Sequence, residues 1–429
     1  MKETGVKWIG SIPNDWEIRK IKHCFYISKE LANDKNPTVL SLARSGIKVR
    51  DISNNEGQLA ASYDNYNIVK AGDLLLNPMD LYSGANCNVS EISGVISPAY
   101  VNLRKTIELN PKFFDYYFKC QYWTMAMFAH GKGVSFDNRW TISADSVLNY
   151  EIPFPKKEQQ DAIVVTLNKK CENIDALIEV QNSQIEKLKE YKKSLITNIA
   201  LGRNLTCEKK IIEDSWIGKL PSNWSAIQIK FVADSKIDNS FIDGDWIESG
   251  DISSEGIKYF TTGSVSDGIF KNQEGSFISE KTFMDLNCKY AYGGDLIISR
   301  LNEPYGRACI IPDYIDKCVL AVDIVILRPT TSFNKKYILY VTQCPGYQAA
   351  VGDKARGTAM KRISRTNLGN IKIPYPPTET QNQIVSYLDD KCSEIDNLIK
   401  IKEEKIDMLE RLKRSLIYES VTGKKEVVS

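Results

Sequence analysis

The chain contains itself twice, and a long-period repeat restricts the folds open to it more than any local motif does. Trp8-Ile9-Gly10, Pro13 and Trp16 return 208 residues later as Trp216-Ile217-Gly218, Pro221 and Trp224, and Ile21-Lys22 returns as Ile229-Lys230. A second block, Ile152-Pro153-Phe154-Pro155, recurs at an offset of 221 as Ile373-Pro374-Tyr375-Pro376. In that register Glu158, Gln160, Lys170-Cys171, Ile174-Asp175, Leu177-Ile178, Leu188, Ser194-Leu195-Ile196 and Gly202 match Glu379, Gln381, Lys391-Cys392, Ile395-Asp396, Leu398-Ile399, Leu409, Ser415-Leu416-Ile417 and Gly423. Between these blocks the copies differ in length by 13 residues (221 against 208) and share only islands, Gly72-Asp73-Leu74 with Gly294-Asp295-Leu296 and Leu103-Arg104 with Leu327-Arg328. Each copy is therefore a short shared opening, a divergent body and a long shared close.

From about Glu158 to Leu201, apolar residues at Ile163, Leu167, Ile174, Leu177, Ile178, Ile185, Leu188, Leu195 and Ile199 recur at spacings of three, four and seven. With no Gly or Pro across some 44 residues, this predicts one long amphipathic helix ended by Gly202. Its copy runs from about Glu379 to Gly423. At 1.5 Å per residue each helix spans roughly 60 Å, and a seam of that length must be buried. The other copy is the expected partner, in a coiled coil; the alternative is that each helix packs on its own preceding domain. The divergent regions read as mixed α/β with short elements. Strand-like runs are Val39 to Leu42, Leu74 to Leu76, Leu296 to Ile298, Val319 to Val322 and Ile324 to Leu327, with weaker helical stretches at Phe113 to Phe128 and Lys335 to Val341.

At 429 residues the chain exceeds a single domain, and 42 % apolar with 26 % charged side chains is the balance of a folded protein with a real core. The N-terminus lacks a secretory signal and no apolar run reaches membrane-spanning length, so a cytoplasmic location is expected. Ten scattered cysteines without a C-x-x-C pair argue against a disulfide framework and a zinc ribbon. Net charge is only +2, so any nucleic-acid surface must come from uneven distribution of charge.

Two divergent regions, each opened by W-I-G-x-x-P-x-x-W and closed by I-P-x-P with a long helix rich in Glu and Gln, resemble the specificity subunit of Type I restriction-modification enzymes. The resemblance rests on Trp8 to Trp16, Ile152 to Gln160, Trp216 to Trp224 and Ile373 to Gln381 together with both helices, and it covers essentially the whole chain. It implies a non-catalytic DNA reader of mixed α+β class. Residues 1–155 and 209–376 would be two target recognition domains, each reading half of a split sequence. Residues 156–208 and 377–429 would be helical spacers paired as an antiparallel coiled coil in a pseudo-two-fold arrangement. It further implies double-stranded DNA, two methyltransferase subunits and restriction/translocase subunits as partners. S-adenosylmethionine, ATP and Mg2+ would sit on those partners and no cofactor on this chain. Physics points the same way: an internally duplicated object presents two reading surfaces along a duplex, divergent where bases are touched and alike where identical partners dock. A scaffold that reads no DNA, and a specificity subunit serving a fused methyltransferase-nuclease, remain the alternatives.

Lys and Arg hold phosphates while Arg, Lys, Asn, Gln, Ser and Thr read base edges, so local charge guides the search for contacts. In the second copy Lys354, Arg356, Lys361, Arg362 and Arg365 cluster around Gly357-Thr358, a loop that resembles a Gly-Thr/Ser loop of the family. The matching first-copy stretch is Lys132, Gly133 and Ser135 after Gly131, followed by Asn138, Arg139 and Trp140. It carries less charge and about three more residues before the shared Ile-Ser (Ile142-Ser143, Ile363-Ser364). Ser299, Arg300, Asn302 and Arg307, with Asn77, Tyr82, Ser83 and Asn86 as first-copy counterparts, are further candidates at strand ends, where ordinary turns are an equal reading. For Arg44, Lys48 and Arg50 a solvated face is the better reading. The repeated tryptophans favour packing over base stacking, and Cys171 and Cys392 favour buried thiols over chemistry.

Only His23 and His130 occur, so histidine metal sites and triads have almost no material. No Walker-type phosphate loop is present, and Asn77-Pro78-Met79-Asp80 departs from the Asn-Pro-Pro-aromatic element of an adenine methyltransferase, reading instead as a turn. Pro312-Asp313 opens like a nuclease metal motif but lacks the carboxylate-x-Lys that should follow.

Overall fold

The computed structural model describes residues 1–32, 37–43, 46–51, 62–79, 81–82, 86–133, 140–213, 215–273, 275–357 and 360–425. They fall into two compact units, Met1–Gln181 with Glu403–Ser429, and Asn182–Lys402. The two long helices run Lys157–Ala200 and Thr378–Val421, within a residue or two of the expected bounds, and each contributes to both units.

In the first unit, a four-stranded antiparallel sheet has the order Phe25–Ile27, Val101–Lys105, Leu74–Leu76, Cys87–Val89. Successive strand side chains face opposite ways, so Leu74 and Leu76 enter the main core while Leu75 joins Leu40, Leu42, Val69 and Ile96 on the other face. The helix Pro111–Trp123 covers the main-core face with Phe113, Phe114, Tyr117 and Phe118, all fully buried. Asn110 caps it by accepting from Lys112 N, and Pro111 sits where a backbone N–H is dispensable.

The second unit repeats this topology. Its sheet, Phe241–Asp243, Ile324–Leu327, Leu296–Ser299, Ala308–Ile310, has the same strand order and sense. Leu296 and Ile298 face one core with Tyr337, Ile338 and Val341 of the helix Lys335–Thr342, while Ile297 faces another. The divergent body adds a five-stranded sheet in which Ile257–Phe260 pairs parallel with Lys317–Leu320. The shared islands become one device used twice: Arg104 Nη2 pairs with Asp73 Oδ2 at 2.8 Å, and Arg328 Nη2 with Asp295 Oδ2 at 2.7 Å. In both, the guanidinium Nε also donates to the second carboxylate oxygen at 2.9 Å, a bidentate clamp across two adjacent strands.

Opening and closing signatures also meet within each unit. Glu17–Lys20 pairs antiparallel with Glu151–Phe154, and Ser225–Gln228 with Lys372–Tyr375. The indole N–H of Trp8 donates to Glu151 O at 3.2 Å, and that of Trp216 to Lys372 O at 2.7 Å. Gln160 accepts from Asn110 N and donates to Pro155 O; Gln381 accepts from Asn334 N and donates to Pro376 O, both side chains being fully buried.

The ends of the long helices explain the remaining repeats. Each closes in a Schellman motif, with Arg203 N donating to Asn198 O and Lys424 N to Glu419 O, and with Gly202 and Gly423 at φ 59° and 69°. Gly202 packs on Pro221 and Trp224 of the second copy, whereas Gly423 packs on Pro13 and Trp16 of the first. The helix that follows one copy thus ends on the signature of the other. Packing is the role the structure gives the tryptophans, Trp16 and Trp224 being 4 % and 2 % exposed.

Helix-on-helix pairing and packing on the preceding domain both occur. In the first unit Ile163, Val164, Leu167, Cys171 and Ile174 share one core with Phe113, Phe114 and Tyr117, and with Leu416, Ile417 and Val421 of the second helix. In the second unit Lys192 Nζ lies 2.7 Å from Asp396 and Lys402 Nζ 2.6 Å from Gln184, an antiparallel register. The first unit holds the equivalent rung, Lys413 Nζ to Asp175 at 2.6 Å. Such exposed pairs contribute about 0–1 kcal/mol, so burial of the seam carries the stability and the charges fix the register. Cys171 and Cys392 are buried on these helices, as expected.

Candidate nucleic-acid interface

The structure joins two stretches that lie sixty residues apart in the second copy. Arg356 and Arg362 exchange both backbone hydrogen bonds at 2.9 Å, an antiparallel bridge that forms the base of a hairpin. Its return strand pairs with the segment after Leu296–Ser299: Ile363 N donates to Arg300 O at 3.0 Å and Asn302 N to Lys361 O at 3.4 Å. Gly357 holds φ +131°, and a Cβ there would collide with Met360 O, so the turn requires glycine. The returning Ile363-Ser364 then starts a short helix, Arg365–Gly369, capped by Ser364 Oγ accepting from Asn367 N at 3.1 Å.

Lys354, Arg356, Lys361 and Asn302 are exposed on this hairpin and its support. Arg362 and Arg365 are partly exposed and face acidic partners, Arg362 Nε at 2.6 Å from Asp323 and Arg365 Nη1 at 3.6 Å from Asp243. Thr358 lies outside the described residues.

Three candidates from the adjoining strand end prove to be framework. Arg300 is 4 % exposed and lies between Asp243 at 3.1 Å and Asp323 at 3.6 Å. It also donates through Nη2 to Val322 O at 2.6 Å and through Nη1 to Ile363 O at 3.2 Å, which holds it beneath the hairpin. Burial pulls its pKa below the ordinary guanidinium value despite those carboxylates. Arg307, whose pKa burial also lowers, donates to Val265, Leu301, Asn302 and Thr262 carbonyls and ties the turn to a neighbouring loop. Ser299 is fully buried and donates to Leu301 O at 3.2 Å. The side chains of these three are engaged within the framework that supports the exposed residues of the hairpin.

The first unit has the same construction. Lys132 and Thr141 exchange backbone hydrogen bonds at 2.8 and 3.0 Å, Ile142 N donates to Pro78 O at 2.9 Å, and Leu81 N donates to Trp140 O at 3.0 Å. Eight residues separate Lys132 from Thr141 in the sequence, against five between Arg356 and Arg362. Trp140, next to Thr141, stacks on Phe128 at 5.5 Å and donates its indole N–H to Phe128 O at 2.9 Å. Lys132, Gly133 and Tyr82 are exposed; Ser83, Ser135, Asn138 and Arg139 lie outside the described residues, as does Arg44. Asn77 is again framework, nearly buried, with Oδ1 accepting from Met79 N at 3.0 Å in the turn the sequence suggests. Asn86 is also held inward, donating to Leu42 O at 3.2 Å. Met360, a residue to which the sequence gives no role, is 64 % exposed beside Lys361.

Among the described residues no group of three or more His, Cys, Asp or Glu is placed to hold a metal, and no helix is long and apolar enough to cross a membrane. His130 is packed edge-on against Trp8 at 4.7 Å.

Residues 221–411 match the family described as Type I restriction modification DNA specificity domain. A curated relative, the Type I restriction enzyme MjaVIII specificity subunit of Methanocaldococcus jannaschii, is 23 % identical over 96 % of this chain and 93 % of its own length. The chain is thus similar along nearly its whole length to a Type I specificity subunit, and residues 221–411 match that family's DNA specificity domain. The putative MjaX specificity subunit of the same organism is 26 % identical over 67 % of this chain and 62 % of its own. The fold is similar to that of a chain solved in a study of complex assembly and conformational transition of the type I R-M system. That likeness has a TM-score of 0.72 at 18 % identity over 97 % of this chain and 100 % of the other. The HsdS subunit from Thermoanaerobacter tengcongensis superposes with a TM-score of 0.51 at 18 % identity over 99 % of this chain and 100 % of its own.

Proposed function

We propose that the chain is the non-catalytic reader of a bipartite DNA target, one half read by residues 1–155 and the other by residues 209–376, and that it directs adenine-N6 methylation or restriction by partner subunits. The observation that carries this reading is a backbone bridge built alike in both units, Lys132 with Thr141 and Arg356 with Arg362, that brackets stretches of different length and sequence. Backbone hydrogen bonds fix where the loop stands; loop length and side chains are left to determine what it touches. The second hairpin brings several cations, the first brings fewer, so the two units suit different half-sites.

The shared helices, residues 156–208 and 377–429, suit docking of two copies of one partner. Leu177 and Val180 in the first unit, and Leu398 and Ile401 in the second, stand at the same offset of 221 and are all exposed. Apolar side chains repeated on a solvent face mark an interaction surface. Methyltransferase subunits fit that requirement, and restriction/translocase subunits complete the assembly. S-adenosylmethionine, ATP and Mg2+ then belong to those partners.

Methylation profiling tests the proposal. DNA from cells expressing the chain with its cognate methyltransferase subunit should carry a split adenine-methylated motif, absent when the methyltransferase is expressed alone. A complex that forms and yields no new motif would refute DNA reading and favour a scaffold.

A further inference from the structure

We infer that Met360 reads a base: its side chain meets the 5-methyl group of a thymine in the half-site taken by the second unit. The inference rests on the proposed DNA reading and names a specificity residue within it. Met360 is 64 % exposed on a hairpin whose other described side chains are cationic, namely Arg356 and Lys361, with Lys354 at its foot. An exposed apolar side chain there gains nothing from water and nothing from its neighbours' charges. Its backbone is held near the bridge, because Gly357 at φ +131° lies against Met360 O and the Arg356–Arg362 hydrogen bonds follow two residues on.

The surrounding cations select the occupant. Exposed cations that hold phosphates on either side of Met360 would bring it to a groove, and the one apolar group a base edge offers in the major groove is the thymine methyl. Methionine suits the contact, since its unbranched thioether adapts to a small apolar target. It brings no charge, so it contributes discrimination without counterion release.

The test uses the complex of this chain with its methyltransferase partner and the duplex motif found by methylation profiling. Each thymine of the second half-site, on either strand, is replaced singly by deoxyuridine, which removes only the methyl group. Wild type should lose about tenfold in affinity at one position, in line with the cost of a single wrong base contact. Met360→Ala should bind the thymine duplex about tenfold more weakly, be indifferent to deoxyuridine at that position, and keep the wild-type salt slope. Met360→Leu should restore part of the discrimination. Melting of the variants should match wild type, as Met360 is exposed, which separates lost contact from lost fold.

Equal sensitivity of wild type and Met360→Ala to every deoxyuridine would overturn the inference. So would an Ala variant that weakens thymine and deoxyuridine duplexes alike with a smaller DNA bend, because that is the behaviour of a wedge between base pairs. A complex with no sequence preference at all would instead refute the underlying DNA reading, and the two failures are thus distinct.

Discussion

Gly202→Ala tests whether the end of the first long helix is locked on the second copy's tryptophan. Gly202 and Gly218 both have positive φ, 59° and 73°, so alanine at either pays the left-handed penalty of about 1–2 kcal/mol. At Gly218 nothing lies within 4 Å of the point an alanine methyl would occupy, and the backbone penalty is the whole effect. At Gly202 the methyl would stand 2.8 Å from Pro221 Cγ and 2.9 Å from Trp224 Cη2. Both are rigid rings, and Trp224 is 2 % exposed in a core that includes Ile196, Ala200 and Leu201, so neither can swing aside. Overpacking of this kind adds about 1–3 kcal/mol, making Gly202→Ala the worse variant by that amount. With a urea dependence of about 2–3 kcal/mol per molar, its midpoint should fall roughly 0.3–1.5 M below that of Gly218→Ala. Circular dichroism and tryptophan fluorescence of the purified chain measure this directly. Gly423→Ala places the same insult on Pro13 and Trp16, in the other unit, and its effect should add to that of Gly202→Ala. Equal midpoints for Gly202→Ala and Gly218→Ala would show that the helix end is not seated on Trp224 and would sink the docking scheme.

Other expectations follow from the same geometry. Replacing Arg356 and Arg362 together by alanine should lower the slope of log affinity against log salt by about one per lost phosphate contact; an unchanged slope removes the hairpin from the interface. Among the described residues Cys207 is the one exposed thiol, and burial pushes Cys288 up to about 11 and Cys309, Cys318 and Cys344 up to about 12. Iodoacetamide at mildly alkaline pH should therefore modify one thiol per folded chain quickly, and a second fast thiol, seen by mass spectrometry, would contradict the packing. Burial also raises the Asp267 carboxyl pKa above 3.8, against the hydrogen bond donated by Gln348 at 3.0 Å. Because the folded state holds that proton more tightly, the stability it contributes is present at low pH and is lost as pH rises through the folded pKa. Asp267→Asn should then raise the melting temperature at neutral pH and have no such effect below the unfolded carboxylate pKa; a variant less stable than wild type at pH 7 would show the reasoning to be wrong.

The long helices and the duplication were legible because both are periodic in the sequence, one at the helical repeat and one at a fixed offset. The islands were visible without their meaning. Asp73 and Arg104 stand 31 residues apart, and only the strand order places them in one clamp. The same limit governs the site. Arg300 follows a strand and reads as a cation at a binding loop, yet Asp243 and Asp323, far away in sequence, neutralise it under the hairpin. Ser299 and Asn77 misled for a related reason, since a polar residue at a strand end serves a turn as readily as a ligand. Met360 went unnoticed because a lone methionine between cations carries no pattern. Only its exposure, which depends on the turn made by Gly357, separates it from a core residue.

The reciprocal docking explains which parts of the two copies agree. Each tryptophan signature receives the helix that belongs to the other copy, and each helix end must fit a signature it did not grow from. A change in one signature would require a matching change in a helix end some two hundred residues away, so the openings and closings are held to one design. The hairpins carry no such constraint. They are fastened at their bases by main-chain hydrogen bonds, Arg356 with Arg362 and Lys132 with Thr141, which are indifferent to side-chain identity. Binding loops can then differ in length and charge without disturbing the framework that positions them. A chain that joins two copies through their shared ends leaves the stretches beyond each bridge free to diverge in sequence, one unit independently of the other.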